Sequence, residues 1–211
     1  MSIQRLRDIV NLAVPTLFEQ IQGGRVRCES EATLQLHLGR IIMMVADLKI
    51  VSQRETFSIE LEKPLHGEDG RRGRIDIWFC LTSDDGTQLR CALELKFFKR
   101  ANQREPNNRY DVFKDIARLE QCQDVADLGF MLVATDHLHY ITQETYSADT
   151  NAFDFRDGES YRADTTLTYG TGNYGEPITL AGDYHFSWVD ASTGATTLGY
   201  LLLEVTPVQR S

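Results

Sequence analysis

Two helical patterns open the chain. Apolar residues recur at helical spacing over residues 3–21, where Pro15 predicts a kink or two short helices. Ser30 is a favourable N-cap residue, and the apolar stripe that follows it predicts a second helix ending near Asp47. Glu31 then lies in the first turn of this helix, where a negative charge is favourable.

Alternating patterns typical of strands follow these helices. Residues 50–62 alternate loosely and predict a strand that Pro64 ends, and residues 66–73 form a polar, glycine-containing loop. Residues 74–81 and 89–97 then predict a β-hairpin around a turn rich in Ser, Asp and Gly.

The second half of the chain contains a helical pattern and a buried strand, followed by a polar, turn-rich segment. Residues 110–123 have a helical apolar face, and residues 128–134 form a continuous apolar run typical of a central strand. After Asp136 the chain becomes polar and rich in turns, with two further strands at residues 185–190 and 196–205. We therefore predict one α/β domain: a core at residues 1–135 with a mixed central sheet flanked by helices, and a β-rich extension at residues 136–211 packed on it.

Composition narrows the class of protein. Of the 211 residues 42% are hydrophobic and 25% are charged, values typical of a soluble globular protein. The absence of a long apolar run or an apolar signal-peptide core leads us to expect a cytoplasmic location and no membrane. The net charge of −9 argues against non-specific wrapping of a long nucleic acid, but it permits a local basic groove. The four cysteines form no Cys-x-x-Cys pair, which disfavours a zinc knuckle.

Three charged residues lie among the apolar residues of the hairpin. Asp76 is central in its first strand, and Glu94 and Lys96 share one face of its second strand. Burying charge in such surroundings is costly, and two adjacent carboxylates repel each other unless a cation joins them. Oxygen ligands suit Mg²⁺ or Mn²⁺, and a nearby ammonium can orient a water for attack on a phosphate. A cross-strand salt bridge on a solvated face is the simpler alternative.

This arrangement resembles the signature of the PD-(D/E)XK nuclease superfamily, which has a restriction-endonuclease-like fold. Asp76 and the run Glu94-Leu95-Lys96 match the motif, although Ile75 stands where the motif has proline. The early helix with an acidic residue at its start also matches. The resemblance covers roughly residues 30–135 and does not include the extension.

The resemblance implies a metal-dependent nuclease that holds Mg²⁺ or Mn²⁺. Lys96 would position the attacking water. The implied ligands of the metal are Asp76, Glu94, the Leu95 carbonyl and Glu31. For Glu31, an ordinary charge at a helix N-terminus is an equally good interpretation, and Glu29 is a competing candidate.

Basic and aromatic residues on both sides of the hairpin in sequence are candidates for substrate binding. A nuclease needs positive charge beside its metal site. The candidates are Arg71, Arg72, Arg74, Lys99, Arg100, Tyr110, Lys114 and Arg118. For the last three, a solvated helix face is the favoured alternative, and the first arginines would otherwise only solubilise a loop.

We therefore expect hydrolysis of phosphodiester bonds by a metal-activated water, with DNA as the expected substrate. The leading alternative is a catalytically inactive nuclease-fold module that binds nucleic acid or a protein partner. A structural protein with an acidic binding surface is a third. The resemblance leaves open a homodimer or a component of a larger complex. Carboxylates of Asp76 and Glu94 pointing to opposite faces of the sheet would contradict the nuclease assignment.

Overall fold

A computed structural model describes residues 2–66, 72–101, 104–144, 147–171, 174–193 and 197–208. Its helices are α1 (Gln4–Gln22), α2 (Glu31–Lys49), α3 (Glu105–Glu120) and α4 (His139–Thr142), with a 3₁₀ turn at Ala148–Thr150. Its first strands are β1 (Thr56–His66), β2 (Arg72–Thr82), β3 (Gln88–Phe98) and β4 (Leu128–Thr135). The remaining strands are β5 (Ser160–Tyr161), β6 (Thr166–Leu167), β7 (Ile178–Thr179), β8 (Tyr184–His185), β9 (Trp188–Asp190) and β10 (Gly199–Val205).

Six of these strands form a mixed central sheet in the order β1-β2-β3-β4-β10-β9. The β3–β4 pair is parallel and the other neighbouring pairs are antiparallel. All eight residues of β4 are buried, as its continuous apolar run predicts. The expected α/β class with a mixed central sheet is therefore confirmed.

Helices α1 and α2 cover one face of the sheet, and α3 and the extension cover the other. Ser30 accepts a hydrogen bond from the Thr33 N–H and caps α2, as expected. Pro15 does not divide α1, which runs from Gln4 to Gln22 without interruption. Buried residues on both sides of the proline, including Val14 and Leu17, hold this helix against the core and offset the lost hydrogen bond.

The prediction that Pro64 ends β1 is wrong. The strand continues to His66, and Pro64 pairs with Arg74. A proline is tolerated here because β1 is at the edge of the sheet. The irregular residue is Glu62, whose φ of 55° interrupts the pairing between Leu61 and Lys63.

The extension contributes to the central sheet. Its last strand, β10, lies between β4 and β9 and pairs antiparallel with both. The second predicted C-terminal strand is therefore present as β10, whereas the first, at residues 185–190, is divided into β8 and β9. Two small sheets, β5–β8 and β6–β7, complete the extension. Among the described residues, no helix has both the length and the apolar character needed to cross a membrane.

Candidate active site

The candidate site lies where β2 and β3 separate. Their pairing ends at Ile77 and Leu93, beyond which β2 remains paired with β1 and β3 with β4. One further step in this register places Asp76 opposite Glu94. Both residues therefore occupy the last positions before a gap between the two strands.

Two carboxylates fill the hydrogen-bonding positions that β2 leaves empty along β3. Asp76 Oδ2 accepts a hydrogen bond from the Leu95 N–H at 2.6 Å, and Glu31 Oε2 accepts one from the Phe97 N–H at 3.2 Å. The N–H and C=O of one residue in a strand point to the same side, so the Leu95 carbonyl also faces this gap. The gap is thus lined by two carboxylates and a backbone carbonyl.

A network of ion pairs lies beside the gap, under α3. Arg118 binds Glu94 through two contacts, at 2.8 Å from its Nε and 2.7 Å from its Nη2. Arg118 also contacts Asp115 at 2.6 Å, and the other oxygen of Asp115 lies 2.6 Å from Lys96 Nζ. Lys96 Nζ additionally donates to the Leu95 carbonyl at 3.1 Å. Glu94 is only 1% exposed, so a solvated sheet face is excluded for this residue.

Burial and mutual repulsion raise the pKa values of the site's carboxyls. Desolvation is the largest cause for Glu31, Asp76 and Glu94, and the neighbouring Asp115 adds to it in each case. Desolvation lowers the pKa of the Lys96 ammonium, but Asp115 and Glu31 outweigh this effect and raise it above its ordinary value. The site therefore holds a surplus of partly buried carboxylates over its two cations, Lys96 and Arg118.

This donor set fits a hard divalent cation in part. Asp76, Glu31 and the Leu95 carbonyl are oxygen donors along one gap, and their crowding favours a cation. Glu94 reaches such an ion only by giving up Arg118, which occupies both of its oxygens. Across the described ranges, no group of three or more His, Cys, Asp or Glu side chains converges closely enough to hold a metal.

Two of the substrate-binding candidates before the hairpin cannot be located at the level of side chains. Arg71 lies outside the described residues, and for Arg72 only the backbone, in β2, is described. Arg74 is exposed on β2, two residues before Asp76, and its Nη1 lies 3.7 Å from Glu62 Oε2 on β1. Its guanidinium is therefore near the gap and accessible to solvent.

The candidates after the hairpin separate into different environments. Lys99 Nζ donates to the Glu29 carbonyl just before α2, and Arg100 is exposed beyond β3. Lys114 is exposed on α3, one turn before Arg118. Among these candidates, Arg118 is the one that contacts the site carboxylates Glu94 and Asp115.

Tyr110 does not share the site face of α3. It is 6% exposed, and its ring packs edge-on against Phe153, Tyr169 and Tyr174. Its hydroxyl donates to the Glu176 carbonyl at 3.0 Å. The expected role in substrate binding is corrected to packing of the extension, because this side of α3 is covered.

The sequence analysis missed two residues of the site. Asp115 joins Lys96 to Arg118, and Gln35 donates both to the Asp76 carbonyl at 2.6 Å and to Glu62 at 3.0 Å. The spacing of Asp115 three residues before Arg118 was an available signal for the first. Gln35 follows Glu31 by one helical turn, which was the signal for the second.

No family model, curated protein or solved structure matches this chain. The site is therefore interpreted from its own chemistry.

Proposed function

We propose that this protein is a metal-dependent nuclease with a restriction-endonuclease-like core, and that it hydrolyses phosphodiester bonds in DNA. The observation that carries the proposal is the gap between β2 and β3. There Asp76, Glu31 and the Leu95 carbonyl line one edge, with the Lys96 ammonium at the same carbonyl. Carboxylates that can hold a divalent cation and a positioned lysine are groups suited to metal-dependent hydrolysis of a phosphodiester.

The residues have distinct roles in this proposal. Asp76, Glu31, the Leu95 carbonyl and, after release by Arg118, Glu94 hold a Mg²⁺ or Mn²⁺ ion. When bound, such an ion polarises a phosphoryl oxygen and lowers the pKa of a water. Lys96 orients the attacking water and stabilises charge that develops on the phosphate. Asp115 is a positioning residue, because it contacts Lys96 and Arg118 and not the reacting atoms.

Arg118 is the residue best placed to bind the scissile phosphate. Its guanidinium is about 30% exposed at the edge of the cluster, and its Nη2 contacts both Glu94 and Asp115. An arginine released from Glu94 keeps Asp115 as an anchor and presents its remaining N–H groups to a phosphate. Arg74 is a second, more exposed cation, on β2 two residues before Asp76.

Incubation with supercoiled plasmid and with linear duplex DNA tests the proposal, with Mg²⁺, Mn²⁺ or EDTA. We expect cleavage with either metal and none with EDTA. Asp76→Asn and Lys96→Met should each reduce the rate at least about 100-fold, because each removes a group that stabilises the transition state. Asp76→Asn keeps the acceptor for the Leu95 N–H, so its effect reports the lost charge.

A matched control is the Asp8–Lys49 ion pair, which joins α1 to the end of α2 at 3.8 Å. Asp8→Asn and Lys49→Met change the same residue types outside the site and should leave the rate within about twofold of wild type. Absence of cleavage by wild type with both metals would overturn the proposal. Equal cleavage by wild type and the two site variants would show that the activity comes from elsewhere.

One observation favours a second candidate, a catalytically inactive module of the same fold that binds nucleic acid or a protein. Arg118 occupies both oxygens of Glu94, as a permanent structural ion pair would. In that case Mg²⁺ should not change the thermal stability of wild type. DNA binding without cleavage, unaffected by EDTA, would support this candidate.

A further inference from the structure

The solvent-facing side of α2 has an exposed apolar surface. Five large side chains form it, with exposed fractions from 49% to 88%: Leu36, Met43, Met44 and Leu48 on α2, and Val51 two residues past the end of the helix. We call this set the α2 surface. From Leu36 to Leu48 it extends about 18 Å along the helix axis. Together these side chains expose on the order of 500 Å² of apolar area, at the upper end for the largest patch on a monomer.

Charged residues divide the α2 surface in a regular way. Arg40 and Asp47 are exposed on the same side of the helix, one on each side of the Met43–Met44 pair. Within the described residues, the Arg40 guanidinium donates to the neutral Gln20 side chain at 3.2 Å. Asp47 has no ionic partner within the part of the chain that the structure describes. The Asp47 carboxylate and the Arg40 guanidinium are thus both available on one apolar face.

We propose that the α2 surface is a homodimer interface, in which α2 of one protomer packs antiparallel on α2 of its partner. A two-fold axis passing between Met43 and Met44 makes the surface complementary to itself. Each Met43 then faces Met44 across the interface, each Leu36 faces Val51, and each Arg40 faces Asp47. The symmetry produces two identical ion pairs and two identical apolar contacts at the ends.

Charge and area favour a second copy of this chain over an unrelated partner. The ends of two antiparallel helices place opposite dipole charges side by side, which is favourable. The α2 surface supplies more than half of the about 800 Å² that each partner contributes to a standard interface. The midpoint between Arg40 and Asp47 is also the midpoint of the Met43–Met44 pair, so a single two-fold axis pairs the charges and the apolar side chains together. This inference does not depend on the proposed nuclease function.

Sedimentation equilibrium of the full chain over about 1–200 µM tests the proposal, with the dissociation constant as the measured quantity. We expect a dimer for wild type. Asp47→Arg places two arginines opposite each other, and Arg40→Asp places two aspartates opposite each other, so each should weaken the dimer at least tenfold. The double variant Arg40→Asp/Asp47→Arg restores opposite charges and should recover most of the wild-type affinity.

Val189→Lys is the control variant, because Val189 is another exposed apolar residue, 45% exposed, on β9 at the opposite edge of the sheet from β1. It should leave the dimer unchanged, whereas Met44→Glu should dissociate it. A wild type that stays monomeric at 200 µM would overturn the proposal. A dimer that survives Met44→Glu, or a charge swap that fails to restore it, would overturn the α2 interface or its antiparallel register.

A cross-linking measurement keeps the test decisive if a charge variant misfolds. Arg40→Cys/Asp47→Cys brings a cysteine of each protomer opposite one of its partner. Mild oxidation should yield a covalent dimer for this double variant and at least tenfold less for each single variant. Equal yields for single and double variants would contradict the pairing.

Discussion

At the scale of single residues, the Asp76 carboxylate is electrostatically unfavourable in the folded chain, although it accepts a backbone hydrogen bond. It accepts a short hydrogen bond from Leu95, yet burial and neighbouring carboxylates raise its pKa above the ordinary 3.8. Its ionised form is therefore less favourable in the fold than in the unfolded chain. Carboxyl groups with raised pKa values are concentrated at binding and catalytic sites.

The sign of the pH dependence follows from these raised pKa values. Asp76, Glu31 and Glu94 hold protons more tightly in the folded chain, so the folded state binds more protons than the unfolded state above about pH 4. Their favourable contribution to stability is complete below the ordinary pKa values and is lost as the pH rises through the raised ones. We expect Asp76→Asn to raise the melting temperature at pH 7.5 by a few degrees and to leave it nearly unchanged at pH 4.

Thermal unfolding by circular dichroism at these two pH values measures the effect. Asp8→Asn, an exposed carboxylate outside the site, is the control and should not show the same dependence. A melting temperature that falls at pH 7.5 in Asp76→Asn would show that the carboxylate stabilises the fold, contrary to the electrostatic interpretation.

A divalent metal ion should reduce the repulsion among the same carboxylates. If the carboxylates hold Mg²⁺ or Mn²⁺, adding about 5 mM metal stabilises the folded state by mass action. We expect an increase in the melting temperature of wild type, and a much smaller increase in Asp76→Asn, which lacks one negative ligand. NaCl at the same ionic strength is the control for charge screening. Equal shifts in the two proteins would place metal binding away from Asp76.

Removing Arg118 should lower the stability of the fold, in contrast to removing the Asp76 charge. Its removal leaves Glu94 and Asp115 with less positive charge in a buried cluster, because only Lys96 remains. We expect Arg118→Leu to reduce the free energy of unfolding by about 3 kcal/mol in urea without metal. Arg118→Lys keeps the charge but not the two-point contact and should lose less. If Mg²⁺ replaces Arg118 at Glu94, it should restore part of the stability of Arg118→Leu.

Sequence alone was sufficient for the charged centre of the hairpin and insufficient for its partners. Asp76, Glu94 and Lys96 could be recognised because charge within apolar strands is unusual. The Asp115–Arg118 spacing is visible in the sequence, but the contact of Asp115 with Lys96 depends on how α3 packs across β3, which is a long-range contact. Tyr110 was misplaced for the same reason, since its side of α3 is covered by a segment far along the chain.

At the scale of elements, α3 connects the site to the extension. Its Arg118 and Asp115 face the site, while Glu120 at its end is fully buried against the extension. Glu120 Oε1 accepts hydrogen bonds from the Ala181 and Gly182 N–H groups and from the Tyr184 hydroxyl. One helix therefore places Arg118 and Asp115 at the candidate site on one side and anchors the extension on the other.

Glu120→Ala tests this anchoring. It leaves two backbone N–H groups and a buried hydroxyl without their acceptor, and we expect a loss of about 3 kcal/mol in the free energy of unfolding. Glu120→Gln keeps the Oε1 acceptor and should lose less. Hydrogen exchange should increase first around Ala181 to Tyr184, and uniform exchange through the whole chain would contradict a local anchor.

Element boundaries show where local patterns were adequate. The buried run of β4 and the Ser30 cap were sufficient for their elements, because apolar continuity and capping are local properties. Pro15 was predicted to interrupt α1 and Pro64 to end β1, and neither does so. The buried face of α1 holds that helix together, and β1 lies at a sheet edge where a proline is tolerated. Helix α3 begins at Glu105, five residues before its predicted start, since Pro106 is tolerated in a first helical turn.

At the scale of the whole molecule, the extension completes the sheet that carries the site. β10 lies between β4 and β9, and all but two of its seven residues are buried. Without it, β4 would be an exposed edge whose residues are all apolar or buried in the intact chain. The Arg7 and Glu204 side chains also join α1 to β10, with contacts from 2.7 to 3.0 Å. The core and the extension should therefore unfold together.

A chain ending at Thr135 tests this cooperativity. Because β4 would lose its β10 neighbour and α3 would lose the cover of the extension, we expect no cooperative thermal transition and strong binding of a hydrophobic dye. A chain ending at Val208, whose N–H donates to the Glu120 carbonyl at 2.8 Å, keeps β10 and should unfold in one transition like wild type. Calorimetry of both chains gives the comparison. A separate cooperative transition for the shorter chain would show that residues 1–135 fold by themselves, and the extension would then be a separable addition to the site.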